Sequence, residues 1–163
     1  MSGIRNVLFL CGEGCDSGLM AQAILKREGA GRFKAYQAGV CPAEGMHPLV
    51  EGLLRKLNHG TAELAAEPLE TYRSPQAPVM DFLFTLSESL RDQTPPALPG
   101  QPLYAHWGVP DLTFSGKSDA ERALAVAENY RMLSNRIGIF VNLPMTALDR
   151  LSLQRRLGEI GVS

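Results

Sequence analysis

Apolar residues recur with two different periods along this chain. Val7–Leu10 is an unbroken apolar run, short enough for a strand buried on both faces. Leu19, Met20, Ala23 and Ile24 then follow at helical spacing, predicting a helix over Leu19–Glu28 that Gly29 and Gly31 stop. Phe33–Ala38 predicts a second strand. Pro48 opens a helix to Leu57, with Leu49, Val50, Leu53, Leu54 and Leu57 on one side and Asn58 and Gly60 at its end. Residues 61–78 give no clean period. Phe82–Leu86 predicts a third strand, Thr94–Pro102 a proline-rich loop, and Leu103–Trp107 a short fourth strand before a loop holding Pro110 and Asp111. Ser118 and Glu121 form a capping box at the start of a long helix to Val141. Its expected apolar stripe is Ala120, Ala123, Leu124, Ala127, Tyr130, Leu133, Ile137, Phe140 and Val141. Thr146–Ile160 predicts a last helix.

Alternating strands and helices imply an α/β fold, a parallel sheet wrapped by helices. Ligands of such sheets bind at the carboxyl ends of the strands. That edge collects three loops: Cys11–Gly18, Gly39–Gly45 and His106–Phe114. With 163 residues, 45% of them hydrophobic, the chain is expected to form a single domain over residues 1–163. A formal net charge of −1 argues against nucleic acid or an anionic membrane surface as partner. The first apolar run is too short for a signal peptide or a membrane span. Three cysteines, an odd count, do not suit a secreted disulfide scaffold. The expectation is a cytoplasmic protein with free thiols, no resident cofactor, and a small-molecule or protein partner that composition does not identify.

The chemistry concentrates in the first loop, which reads Cys11, Gly12, Glu13, Gly14, Cys15, Asp16, Ser17, Gly18. A thiol between a strand and a helix N-terminus is the arrangement that aims a thiolate at an oxyanion. The three glycines give backbone freedom for a tight loop. Yet Glu13 and Asp16 are acidic, and the loop has no Arg or Lys. A carboxylate about 4 Å from one ligand charge costs on the order of 4 kcal/mol at an effective dielectric of 20. The helix dipole offsets only about 0.3–1 kcal/mol of that.

The stretches "VLFLC", "MAQAIL", "YQAGVCP", "HPL", "APVMDFLFTL", "PGQPLYAHWGVPD" and "SDAERALAVAENYRMLSNRI" together resemble the low-molecular-weight protein tyrosine phosphatase superfamily, in its arsenate reductase branch. The resemblance runs over nearly the whole chain. It implies a three-layer α/β/α fold with a four-stranded parallel sheet. It also implies a Cys-x5-Arg loop in which the thiolate attacks phosphorus or arsenic, backbone N–H groups and the Arg hold the oxyanion, and an Asp protonates the leaving oxygen. Carried over by position, Cys11 is the nucleophile and Asp111 the acid, but the Arg position is Ser17. The count from Cys11 to Met20 matches the family, so this is a substitution and not a shift. Arg27 lies ten residues down the helix, about 15 Å away. Arg73 and Arg91 remain as possible donors from other loops. The two further cysteines of thioredoxin-coupled reductases fall at Ser87 and Pro95, so that relay is absent. Ser cannot imitate the bidentate clamp of Arg, and losing one oxyanion donor commonly costs about 10²–10³ in rate.

Three readings of the loop follow. The first is a phosphatase-like scaffold that has lost phosphatase and reductase activity and serves as a binding domain. The second is a thiol-redox site of Cys11, Cys15 and Cys41, with the net pKa shift of Cys11 open: a helix N-terminus lowers it and acidic neighbours raise it. The third is a Zn-like metal site drawing on Cys11, Cys15, Cys41 and Asp16 or Asp111, without a recognised ligand spacing. The runner-up to all three is a working reductase or phosphatase with Cys11, Asp111 and an oxyanion-holding residue from elsewhere. Plainer roles stand beside these. Cys41 reads as a small buried hydrophobe, Asp111 as a turn residue, His47 as a helix-start residue, His106 as packing, and Glu13 and Asp16 as loop residues that satisfy helix amides.

Overall fold

A computed structural model of the chain describes residues 3–13, 16–40, 46–62, 64, 67–112 and 114–162, with the backbone alone at Glu13 and Val40. In chain order the elements are β1 (Arg5–Glu13), α1 (Asp16–Glu28), β2 (Phe33–Val40), α2 (Pro48–Lys56), α3 (Leu69–Arg73), β3 (Phe82–Ser87), β4 (Leu103–Val109), α4 (Asp119–Val141) and α5 (Arg150–Gly161), with a 3-10 turn at Glu88–Leu90. The four strands form one parallel sheet in the order β2-β1-β3-β4.

Strand order follows from the apolar runs. Val7–Leu10 and all six residues of β3 are buried, as strands covered on both faces must be, and β1 and β3 are the two central strands. The edge strand β4 instead begins with alternating buried and half-buried residues. On one face the sheet carries α1, α4 and α5. There Phe84 stacks on Trp107 with ring centroids 3.7 Å apart, and Phe140 meets Phe33, Phe82, Phe84 and Trp107 at 4.9–5.6 Å. The Trp107 indole N–H donates to the Leu157 carbonyl and ties α5 to β4. The other face packs Leu8, Leu10, Leu83 and Met80 against Tyr72 and Leu98, under α3, the 3-10 turn and the proline-rich segment. The third layer is therefore thin, and it is built from short pieces.

Several expectations shift. The first helix begins at Asp16, the second strand runs on through Val40, and the third and fourth strands end at Ser87 and Val109. Residues 61–78 contain the five-residue α3, too short to show a period. The last helix starts at Arg150, with Asp149 accepting from the Ser152 N–H as its cap. The Ser118–Glu121 capping box forms as expected. The stripe on α4 differs in its first half. Ala120, Ala123, Leu124 and Ala127 are exposed, and the buried face runs Val126, Asn129, Leu133, Arg136, Ile137 and Phe140. Two polar residues hold that face because they bond the end of β4. Arg136 donates to the Trp107 and Gly108 carbonyls, and Asn129 to the Pro110 carbonyl. Among the described residues no helix is long and apolar enough to cross a membrane.

Phe84 sits at the centre of the aromatic cluster with no exposed surface. Phe84→Ala should cost about 3–5 kcal/mol, read as a lowered urea midpoint by Trp107 fluorescence. A loss well under 1 kcal/mol would mean that the cluster is not the centre of the core.

Candidate functional site

The carboxyl edge of the sheet gathers the candidate residues around Cys11. The thiol does not stand at the first position of a loop, as the sequence suggests. Strand β1 continues through Cys11 and Gly12 to Glu13, which pairs with Val40 after a register shift past Leu10. Backbone pairing with β2 thus carries the strand past the first glycine. The Cys11 side chain is a free thiol, 5% exposed, packed with the α1 and α4 core. Burial is the main influence on it and pushes its pKa from 9.0 up to about 11. The Gly18 N–H, the Gln37 amide and the Ser87 hydroxyl favour the thiolate, but together they do not offset burial, and Asp111 adds a repulsive charge. At pH 7 about one molecule in ten thousand carries the thiolate.

Around this thiol the chain satisfies its own groups. Ser87 Oγ accepts from the Gly12 N–H at 2.8 Å. Ser17, where the family resemblance leads one to expect an Arg, donates its hydroxyl to Asn129 Oδ1 at 2.9 Å, and Asn129 donates to the Pro110 carbonyl at 2.8 Å. Asp16 accepts from the His47 N–H at 3.0 Å, so its carboxylate joins the start of α1 to the start of α2. His47 caps α2 by accepting from the Leu49 N–H, and its ring stacks on Phe114 at 3.9 Å. Gln37 is fully buried. A Cβ added at Gly18 would overlap its side chain, and one at Gly12 would stand 3.0 Å from Ser89 Oγ. Both glycines are needed for close approach. Neither is among the glycines with positive φ, so the expected role in loop freedom does not apply to them.

The remaining candidates separate. Asp111 is exposed on the loop after β4, and its charge bears on Cys11. Arg91 is held by a two-pronged hydrogen bond to Glu88, both arms 2.9 Å, and Arg27 donates to the Leu57 carbonyl. Arg73, by contrast, shares a cavity with Cys11. That cavity, about 670 Å³, opens on the thin face between the end of β1, Thr85, α3 and the proline-rich segment. His106 is more than a packing residue: its Nδ1 lies 2.6 Å from the hydroxyl of Thr85, which lines the cavity. Gly14, Cys15 and Cys41, and the side chain of Glu13, lie outside the described residues. The three-cysteine cluster and the metal set that uses it therefore have no structural account here. Among the described residues no group of three or more His, Cys, Asp or Glu is placed to hold a metal ion.

No protein-family model matches the chain, and no curated protein matches its sequence. Solved structures do match. The thioredoxin-dependent arsenate reductase of Corynebacterium glutamicum superposes with a TM-score of 0.64 at 22% identity, over 90% of this chain and 65% of that one. This chain thus spans less than two thirds of that protein's length. An arsenate reductase from Archaeoglobus fulgidus gives 0.60 at 22% identity, over 84% and 99% of the two chains. An arsenate reductase in a phosphate-binding state gives 0.58 at 15%, over 85% and 97%. The fold is that of the arsenate reductases. On this arsenate reductase fold, Ser87 stands against Cys11, and Pro95 lines the cavity that Cys11 also lines.

Sequence reasoning missed Gln37, Ser87, Asn129 and Thr85 as site residues. Gln37 carried one readable signal: a long amide stands between Tyr36 and Ala38 in a strand that has to be buried. The others are ordinary polar residues whose partners lie 19–112 positions away.

Two outcomes follow. The folded thiol titrates near 11 and the unfolded one near 9.0, so its contribution to stability is complete below pH 9 and is lost as pH rises towards 11, up to about 2–3 kcal/mol. Tyr72, pushed up to about 12 by burial, acts in the next window, from 10 upward. Urea midpoints should therefore fall more steeply from pH 9 to 11 in the parent than in Cys11→Ala; equal slopes would show that the thiol is not buried. Gly18→Ala should destabilise by about 1–3 kcal/mol, and most of that should vanish in a Gln37→Ala background. Additive losses would mean that the two side chains do not share the space.

Proposed function

We propose that this protein is a non-catalytic member of the arsenate reductase fold, inactive towards phosphate esters and arsenate, whose carboxyl-edge cavity binds a small molecule without covalent chemistry. The observation that carries the reading is the state of Cys11: a buried thiol pushed up to about 11, with Gln37 packed beside it and, among the described residues, no cation acting on it. A thiolate nucleophile needs the opposite environment, a nearby positive charge and partial exposure. A cavity of about 670 Å³, walled in part by leucines and prolines with a few polar side chains among them, is of the size and character that small ligands occupy. We place the protein in the cytoplasm, where a free thiol persists.

One observation favours the second reading, an enzyme with an imported arginine: Arg73 lines the same cavity as Cys11. Against it, among the described residues the charge that bears on the thiol is that of Asp111, which opposes ionisation.

The test has two arms. Steady-state assays with aryl phosphate, and with arsenate plus a thiol reductant, should give rates far below the ~1 s⁻¹ of an ordinary enzyme. Indole, a neutral apolar probe, should shift the backbone amides of Leu10, Thr85 and Leu90 in a saturable way. Turnover near 1 s⁻¹ that Cys11→Ser abolishes would establish the enzyme instead, and unmoved amides would remove the binding reading.

A further inference from the structure

The cavity's two ends differ in chemistry. At the inner end is the Thr85 hydroxyl, 2% exposed, held by His106 Nδ1 at 2.6 Å and by the Tyr104 hydroxyl at 3.1 Å. A hydroxyl has one donor and two acceptor sites, so one site stays available to a ligand. Apolar lining comes from Leu10, Leu69, Leu90, Pro95 and Pro96. At the mouth stand Glu70 and Arg73, both exposed and one turn apart on α3.

That last pair is open where its counterparts are closed. An acid precedes an arginine by three residues at three other places in the chain, and each of those pairs is joined: Glu88–Arg91 at 2.7 Å, Glu128–Arg131 at 2.8 Å and Asp119–Arg122 at 3.8 Å. Among the described residues Glu70 and Arg73 pair neither with each other nor with any other side chain. The spacing that ordinarily forms a helix ion pair here presents a separate anion and cation to one cavity. An inorganic oxyanion would meet Arg73 but also the carboxylate of Glu70. A molecule with an ammonium and a carboxylate on neighbouring atoms answers both charges at once.

Resting on the reading of the cavity as a ligand site, we propose that it binds a zwitterionic small molecule with an apolar body, a free aromatic or branched-chain amino acid, its carboxylate on Arg73, its ammonium on Glu70 and its side chain between Leu10, Leu69 and Leu90. Charge-assisted hydrogen bonds fix the head group, and the apolar wall selects the side chain. The Thr85 hydroxyl meets the far end of that side chain and favours one that carries a polar tip.

The experiment titrates the full chain with L-phenylalanine, 3-phenylpropionate, which lacks the ammonium, and 2-phenylethylamine, which lacks the carboxylate. The same Leu10, Thr85 and Leu90 amides are followed, with indole as control. Phenylalanine should bind about tenfold tighter than either truncated probe. Arg73→Gln should bring phenylalanine down to the level of phenylethylamine, and Glu70→Gln to that of phenylpropionate; both residues are exposed, and unchanged Trp107 fluorescence verifies the fold. Phenylpropionate binding as tightly as phenylalanine, or phenylalanine indifferent to Glu70→Gln, would overturn the zwitterion. If indole moves the amides and phenylalanine gains nothing over its truncated forms, the inference fails and the binding site stands. If indole moves nothing, the binding reading fails and takes this inference with it.

Discussion

Gln37 and Gly18 occupy one space, and the rest of the site depends on it. A fully buried glutamine side chain lies where any residue larger than glycine at position 18 would collide with it. Its amide reaches the Cys11 sulfur and the Ala38 carbonyl, while its own Oε1 has no hydrogen-bond partner. A neutral amide in this place fills volume but supplies no positive charge. The thiol is thereby kept dry, and a dry thiol without a cation stays protonated. Ser17, at the start of α1, is engaged elsewhere. The Ser17–Asn129–Pro110 chain is a structural tie between α1, α4 and the loop that bears Asp111.

The two faces of the sheet are covered differently. The thick face, with α1, α4, α5 and the aromatic cluster, fixes the strands and buries Cys11. The thin face is covered by a five-residue helix, a 3-10 turn and a proline-rich segment, and such short pieces leave a space of about 670 Å³. Proline-rich cover is suited to this. Its fixed φ angles hold a wall open without the regular side-chain packing of a helix. Sidedness along β3 does the rest: Phe82, Phe84 and Leu86 face the thick layer, and Thr85 lines the cavity.

Much of the fold was legible because apolar runs and helix caps report burial directly. Val7–Leu10 and Phe82–Leu86 announce central strands, and Ser118 with Glu121 announces the start of α4. The errors share one cause: polar residues that are buried because of partners far along the chain. Asn129 and Arg136 displaced the expected stripe on α4, since each bonds the end of β4. The direction of the Cys11 shift was not legible in the sequence, because it depends on how deeply the sulfur is buried. Asp16 read as a source of repulsion in the loop, whereas its carboxylate is engaged by the His47 N–H. Local spacing cannot show where a side chain's hydrogen bonds end, and in this site nearly all of them end on another element.

The central claim is that the chain's own side chains have taken the place of an oxyanion. Titration with inorganic phosphate, followed at the backbone amides of Gly12, Ser17 and Gly18, tests it most directly. The account predicts no saturable shift of these amides at phosphate concentrations up to about 10 mM. Saturating shifts confined to these three amides, with a dissociation constant in the micromolar range or tighter, would show that the cradle still holds an anion and would contradict it.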